Sequence, residues 1–192
     1  MARKKEFDPA EALHAAVNAF WDSGFERTSL DDLMSKMRLG RQSLYDTFGD
    51  KRTLYLRALD EYRTVTQAST KELFTSTPDV RESFRKILFS IVESPKADLE
   101  RGCMMVNANL ERARGDKPLE RLIKRNATEV QRIFSAVIRA AQKAGAISPK
   151  KDPDELAAFM FSTVHGMRHV GRATADRAQL RQIATVALST LD

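Results

Sequence analysis

The sequence predicts an all-α fold of nine helices: a compact three-helix helix-turn-helix module followed by a larger helical domain. Three observations carry the prediction. Apolar residues recur at three- and four-residue spacing along most of the chain. An acid followed at once by proline, as in Asp8-Pro9 and Asp152-Pro153, marks helix starts, and glycine follows the end of others. No stretch reads as a convincing strand, and there is no repeat, low-complexity segment or heptad array.

Helix 1 starts at Asp8-Pro9 and carries Leu13, Ala16, Val17 and Phe20 on one face. Ser23-Gly24-Phe25 ends it, with Gly24 suited to a left-handed C-cap. Thr28 or Ser29 caps helix 2, whose apolar set is Leu30, Leu33, Met34 and Met37, with Asp31 and Asp32 in the first turn. A turn with Arg38 and Gly40 leads to helix 3, opened by Arg41-Gln42-Ser43, with the apolar set Leu44, Tyr45 and Phe48. Gly49-Asp50-Lys51 breaks the chain before a long helix to about Phe74. Thr77-Pro78-Asp79, Ser94-Pro95-Lys96 and Arg114-Gly115-Asp116 then separate helices near 80–93 and 99–112 from a long amphipathic one, opened by Pro118 and stopped by Gly145. The last two start at Asp152-Pro153 and Asp176. Two units are expected: residues 1–50, and residues 51–192 with the boundary within the helix at 51–74.

Composition narrows the functional classes. At 192 residues and 42% apolar, the chain can bury a substantial core. It has no run of the roughly 18–20 apolar residues needed to span a bilayer, and no apolar run follows its basic start, as a secretion signal would require. Its one cysteine, Cys103, excludes an internal disulfide and fits a reducing cytoplasm. The net charge is +6, yet acids and cations balance within residues 1–52, where the cations concentrate in Arg3-Lys4-Lys5 and around helix 3. His165 and His169 share a helix face, but no carboxylate or thiol completes a metal set, and HExxH is absent. No catalytic triad or phosphate-cradling loop is present, so neither an enzyme nor a cofactor is indicated.

The pair of short helices is how a protein offers a helix to the DNA major groove. Arginine pairs bidentately with guanine and glutamine with adenine, so Arg41 and Gln42, with Ser43, are the candidate base readers. Tyr45, Thr47 and Lys51 suit phosphate oxygens, which fix register. Thr28 and Ser29 either cap helix 2 alone or also meet a phosphate at its N-terminus. Arg3, Lys4 and Lys5 read as an electrostatic arm or as a solvated tail.

Residues 1–50 resemble the TetR family of transcriptional regulators. The resemblance rests on Phe20-Trp21-Asp22-Ser23-Gly24-Phe25, on Thr28-Ser29, and above all on Leu44-Tyr45-Asp46-Thr47-Phe48-Gly49-Asp50-Lys51 followed by Leu54. It implies that helices 1–3 bind DNA, helix 4 links the two units, helices 5–7 surround a ligand pocket and helices 8–9 form a dimer interface. It also places Tyr45 and Lys51 at phosphate-contacting positions. Three residues in and just after the turn depart from the family pattern, which usually runs Ala-Gly-Val-Ser through it. Arg38 replaces the turn glycine, which strains the turn if a positive φ is kept; Gly40 replaces the serine cap; and Gln42 replaces a small residue. The run Gly102-Cys103-Met104-Met105-Val106-Asn107 resembles a subset of the family in which some members respond to oxidants or electrophiles. Cys103 is therefore either a reactive thiol or a small buried hydrophobe. Cys103, Asn107, Phe134 and His165 are the candidate ligand-binding residues.

These expectations add up to a cytoplasmic homodimeric repressor, bound to a pseudo-palindromic double-stranded operator and released by a small-molecule or electrophile inducer. The expected dimer face takes Ala157, Phe161, Val164 and Met167 with Leu180, Ile183, Ala187 and Leu191. The balanced charge of residues 1–52 and the altered turn keep an alternative open: a helical interaction or ligand-buffering protein of the same fold without operator binding.

Overall fold

The computed structural model describes residues 7–77, 79–112 and 115–192, so the expected roles of Arg3, Lys4, Lys5, Pro78 and Arg114 fall outside the described residues. The N-terminal module comprises α1 (Pro9–Arg27), α2 (Leu30–Met37) and α3 (Arg41–Phe48). After it come α4 (Lys51–Ser76), α5 (Val80–Val92), α6 (Lys96–Arg101), α7 (Met104–Arg112), α8 (Lys117–Lys143), α9 (Pro153–Thr174) and α10 (Arg177–Ser189). The described residues contain no strand, and the fold is all-α as expected. Two expected helices differ: α1 runs past Ser23-Gly24-Phe25 to Arg27 through a kink at Gly24, and residues 99–112 are not continuous. Pro95 starts α6 earlier, and Gly102, at φ 66° and ψ −142°, breaks the chain before α7.

Side-chain caps explain much of the segmentation. Asp8, Asp50, Asp79, Asp116, Asp152 and Asp176 each accept a backbone N–H at the start of a helix. Ser29 and Asp32 form a reciprocal capping box on α2, whose hydrogen bonds lower the Asp32 pKa.

Two apolar cores result. The first gathers Phe20, Leu33, Leu44, Phe48, Leu54 and Leu59 from α1–α4, and it also takes in Cys103, Met104, Met105 and Ala108 around α7 and Leu119 of α8. The second packs Phe84, Leu88 and Ile91 of α5 against Phe134, Ile138, Met160, Met167, Leu180 and Ala184 of α8–α10. The first core therefore crosses the boundary expected at residue 50.

The expected dimer face needs correction. Ala157, Met167, Leu180, Ala187 and Leu191 are buried in the second core, and Phe161, Val164 and Ile183 are packed partly against it. The outward stripe instead carries Phe159, Ser162 and Gly166 on α9 and Val186 on α10. Both stripes are apolar or small, and helical periodicity alone does not distinguish the inner from the outer one.

Candidate nucleic-acid interface and ligand cavity

The turn between α2 and α3 keeps the positive φ that the sequence put in question: Arg38 lies at φ 54°, ψ 44°. Its N–H and that of Leu39 return to carbonyls of α2, closing the turn with an L-residue in a conformation better suited to glycine. Gly40 caps α3 with no side-chain hydrogen bond. Leu44 and Phe48 anchor α3 in the core, leaving Arg41, Gln42, Tyr45 and Asp46 on its outer face. Gln42 Nε2 donates to Asp46 Oδ1 at 2.7 Å, and Arg41 lies 3.6 Å from Asp31. Both are solvent-exposed pairs that a base edge can replace at little cost.

The remaining expected residues are placed differently. Tyr45 is 40% exposed. Ser43 and Thr47 are half-buried, and the Thr47 carbonyl accepts from Arg57, whose guanidinium lies over the Phe48 ring at 5.0 Å. Lys51 Nζ stands 4.3 Å from the centre of the Phe25 ring. Ser29 is exposed at the α2 start, whereas Thr28 is 2% exposed and its hydroxyl donates inward to the Gly24 carbonyl at 2.6 Å. In this conformation Thr28 secures the α1–α2 corner rather than facing a phosphate. Sequence reading overlooked Arg57, which belongs to α4 but buttresses the end of α3.

At Gly24 (φ 78°, ψ 177°) α1 is interrupted, and this frees two backbone N–H groups. Glu111 at the end of α7 accepts both, from Phe25 at 3.1 Å and Glu26 at 2.8 Å. Arg112 pairs with Glu26 and lies over the Phe25 ring. At the other end of α7, Trp21 Nε1 donates to the Gly102 carbonyl at 3.1 Å, and Arg101 binds Asn18 and Asp22 while covering the Trp21 indole. Both ends of α7 and its approach are thus fastened to α1.

The inner side of this junction opens on a cavity of about 100 Å³. Cys103, Phe134 and His165 line it together, with Tyr62, Gln67, Asn126 and Arg168. Asn107 does not: its Nδ2 donates to the Arg101 carbonyl at 2.8 Å, bridging the α6–α7 break. Phe134 reaches the cavity from a cluster of edge-on rings with Phe74 and Phe84. His165 Nδ1 is 2.9 Å from the Phe161 carbonyl. That oxygen can only accept, so Nδ1 is the nitrogen that donates to it. Burial pushes the Cys103 thiol up, but its hydrogen bond with His165 and the charges of His165 and Arg168 outweigh burial and bring it to about 7. Burial, helped by Cys103, raises the Tyr62 phenol, which donates to Cys103 Sγ at 3.8 Å. Sequence reading missed Gln67, Asn126 and Arg168. The first two had a signal, since each interrupts the inward stripe of a long helix.

Residues 12–58 match the bacterial regulatory proteins of the tetR family, and residues 78–187 match the tetracyclin repressor-like C-terminal domain. The chain belongs to the TetR family of transcriptional regulators. It is 33% identical to the uncharacterized HTH-type transcriptional regulator YezE of Bacillus subtilis over the full length of both. It is 28% identical to the transcriptional repressor ComR of Escherichia coli, covering 97% of this chain and 90% of ComR. Among solved structures, a cysteine mutant of the TetR-family regulator CifR, complexed with 26-bp operator DNA, aligns over 100% of both chains with a TM-score of 0.84 and 26% identity. In the numbering that the family resemblance implied, α9 and α10 stand for helices 8 and 9, because the Gly102 break adds one segment. Among the described residues of this TetR-family chain, no helix is long and apolar enough to cross a membrane, and no cluster of His, Cys, Asp or Glu is arranged to hold a metal ion.

Proposed function

We propose that this regulator is a homodimeric repressor that reads a pseudo-palindromic operator through α3. The observation that carries the reading is the outer face of α3, where Arg41, Gln42 and Tyr45 project from a helix anchored by Leu44 and Phe48. In this reading Arg41 and Gln42, with Ser43 behind them, meet base edges. Tyr45, Thr47, Lys51 and the exposed Ser29 hold phosphates. Residues 1–50 present this surface, and residues 51–192 dimerise and sense the inducer. Two copies would dock through the outward stripe with Phe159, Gly166 and Val186, giving the two-fold symmetry that a palindrome requires.

An inducer, whether a reversibly bound small molecule or an electrophile that modifies Cys103, would act at the cavity. Cys103 and Met105 line that cavity and belong to the first core, so a ligand that displaces them bears on α7, and α7 bears on α1. Release occurs only if the ligand favours the arrangement that does not fit DNA.

The test is a mobility shift with the DNA upstream of the protein's own gene, run at two salt concentrations with competitor DNA. A Tyr45→Ala, Lys51→Ala double variant serves as control. Specific binding that the control loses is the expected result. If wild type and control bind alike and only at low salt, and a genome-wide selection of bound DNA recovers no shared site, the reading fails.

A further inference from the structure

The cavity beside Cys103 has a polarity that is set from outside it. Arg63 of α4 is 7% exposed and ion-paired with Asp60 and Glu129. A guanidinium can only donate, and Arg63 Nη1 is 3.4 Å from Gln67 Oε1, so Gln67 must turn its oxygen toward Arg63. The Gln67 amide nitrogen is then committed to Asn126 Oδ1, at 3.2 Å. Asn126 in turn keeps its Nδ2 donors as the unused end of the chain, on a residue that is 7% exposed and lines the cavity. The amide orientation, otherwise an assignment, is fixed here by the donor-only group at the far end.

A second donor faces the same space. Arg168 of α9 lines the cavity, and among the described residues no carboxylate lies within ion-pair distance of it. The hydroxyls of Thr66 and Thr70 already donate to backbone carbonyls of α4. Ile87, Met105, Val130, Phe134 and Val164 supply the apolar part of the lining. The polar side thus offers unpaired donors and, among the described residues, a positive charge with no carboxylate partner, next to hydrocarbon.

From this geometry we infer that the ligand of the cavity is a short-chain carboxylate, its oxygens between Arg168 and Asn126 and its chain against the apolar lining. Arginine matches a carboxylate with two parallel hydrogen bonds, and such charge-assisted bonds gain strength away from bulk water. The cavity, at about 100 Å³, suits a short chain rather than a long one. The inference deepens the inducer site proposed above, and its role as inducer rests on that reading. Binding itself does not.

Calorimetric titration of the full-length protein with acetate, propionate and butyrate tests it, with propionamide and inorganic phosphate as comparison ligands. Running it near pH 6, about one unit below the Cys103 value of about 7, keeps the thiol protonated so that no internal anion competes for Arg168. Saturable binding of a carboxylate that propionamide and phosphate do not match is expected, weakened about tenfold or more by Arg168→Gln. A second variant, Asn126→Ala, should weaken it as well, and thermal melts establish that each variant is folded. Absence of carboxylate binding, equal binding of propionamide or phosphate, or an unchanged affinity in folded Arg168→Gln overturns the inference. Operator binding is measured on the same preparations. Specific DNA binding without carboxylate binding sinks this inference alone; carboxylate binding without DNA binding supports it and sinks the repressor reading.

Discussion

Replacing Gly24 with alanine should destabilise the protein far more than one methyl group suggests. Gly24 lies at φ 78°, ψ 177°, a region open essentially to glycine alone, and an L-residue held there costs about 1–3 kcal/mol. A Cβ at this position would stand 2.8 Å from one Glu111 oxygen and 3.1 Å from the other. The carboxylate would have to withdraw, giving up its bonds to Phe25 and Glu26. Hydrogen bonds to a charged group are worth about 1.5–3 kcal/mol when shielded, but the Glu26 N–H is exposed and water replaces much of its bond. The two effects together come to about 3–5 kcal/mol. At about 2–4 °C per kcal/mol for a chain of this size, Tm should fall by about 6–20 °C, measured by calorimetry or circular dichroism. In a double variant that adds Glu111→Ala the clash is gone, so the two losses should fall short of additivity by about 1 kcal/mol or more. A Gly24→Ala protein melting within about 2 °C of wild type, or strictly additive losses, would refute the view that this kink is held by α7.

Three further outcomes are expected from the geometry. Arg38→Gly should stabilise the fold by about 0.5–1 kcal/mol in denaturant titration, because it removes an L-residue from the left-handed region, less the entropy that glycine costs. Gln42→Ala should reduce discrimination at one base pair by about 1–3 kcal/mol in a selection of bound sequences, whereas Lys51→Ala should weaken all sequences alike and lower the salt slope by about one ion. Thiolate absorbance should titrate at about 7, and His165→Gln should raise that value toward the ordinary 9.0. Because the folded value lies below the unfolded one, the thiolate's contribution to stability is full above the unfolded value and disappears as pH falls through about 7.

Local chemistry was legible in the sequence where it acts over a few residues. The acid and serine caps and the proline starts obey short-range rules, and most helices begin where those rules place them, the break at Gly102 being the exception. What depends on distant partners was not legible. Thr28 reads as a helix cap that could also meet a phosphate, until the Gly24 carbonyl claims its hydroxyl. Asn107 reads as a ligand handle because it is close to Cys103 in sequence, yet its amide serves the α6–α7 break. The groups that complete the cavity come from α4, α8 and α9, and nothing local to Cys103 points to Gln67, Asn126 or Arg168. The outward stripes of α9 and α10 failed for a different reason: two apolar faces on one helix leave periodicity without a preference.

That Met104, Met105 and Ala108 share one core with α1–α4 bears on how such regulators can be recombined. A chimera cut at residue 50 or anywhere in α4 would graft a new head onto a body that still supplies part of the old head's interior, along with the Glu111 and Trp21–Gly102 fastenings. The seam that respects packing is discontinuous: it takes α1–α3 and the start of α4 together with α7. Any exchange of operator specificity in this chain must therefore either transplant both pieces or confine itself to the outer face of α3.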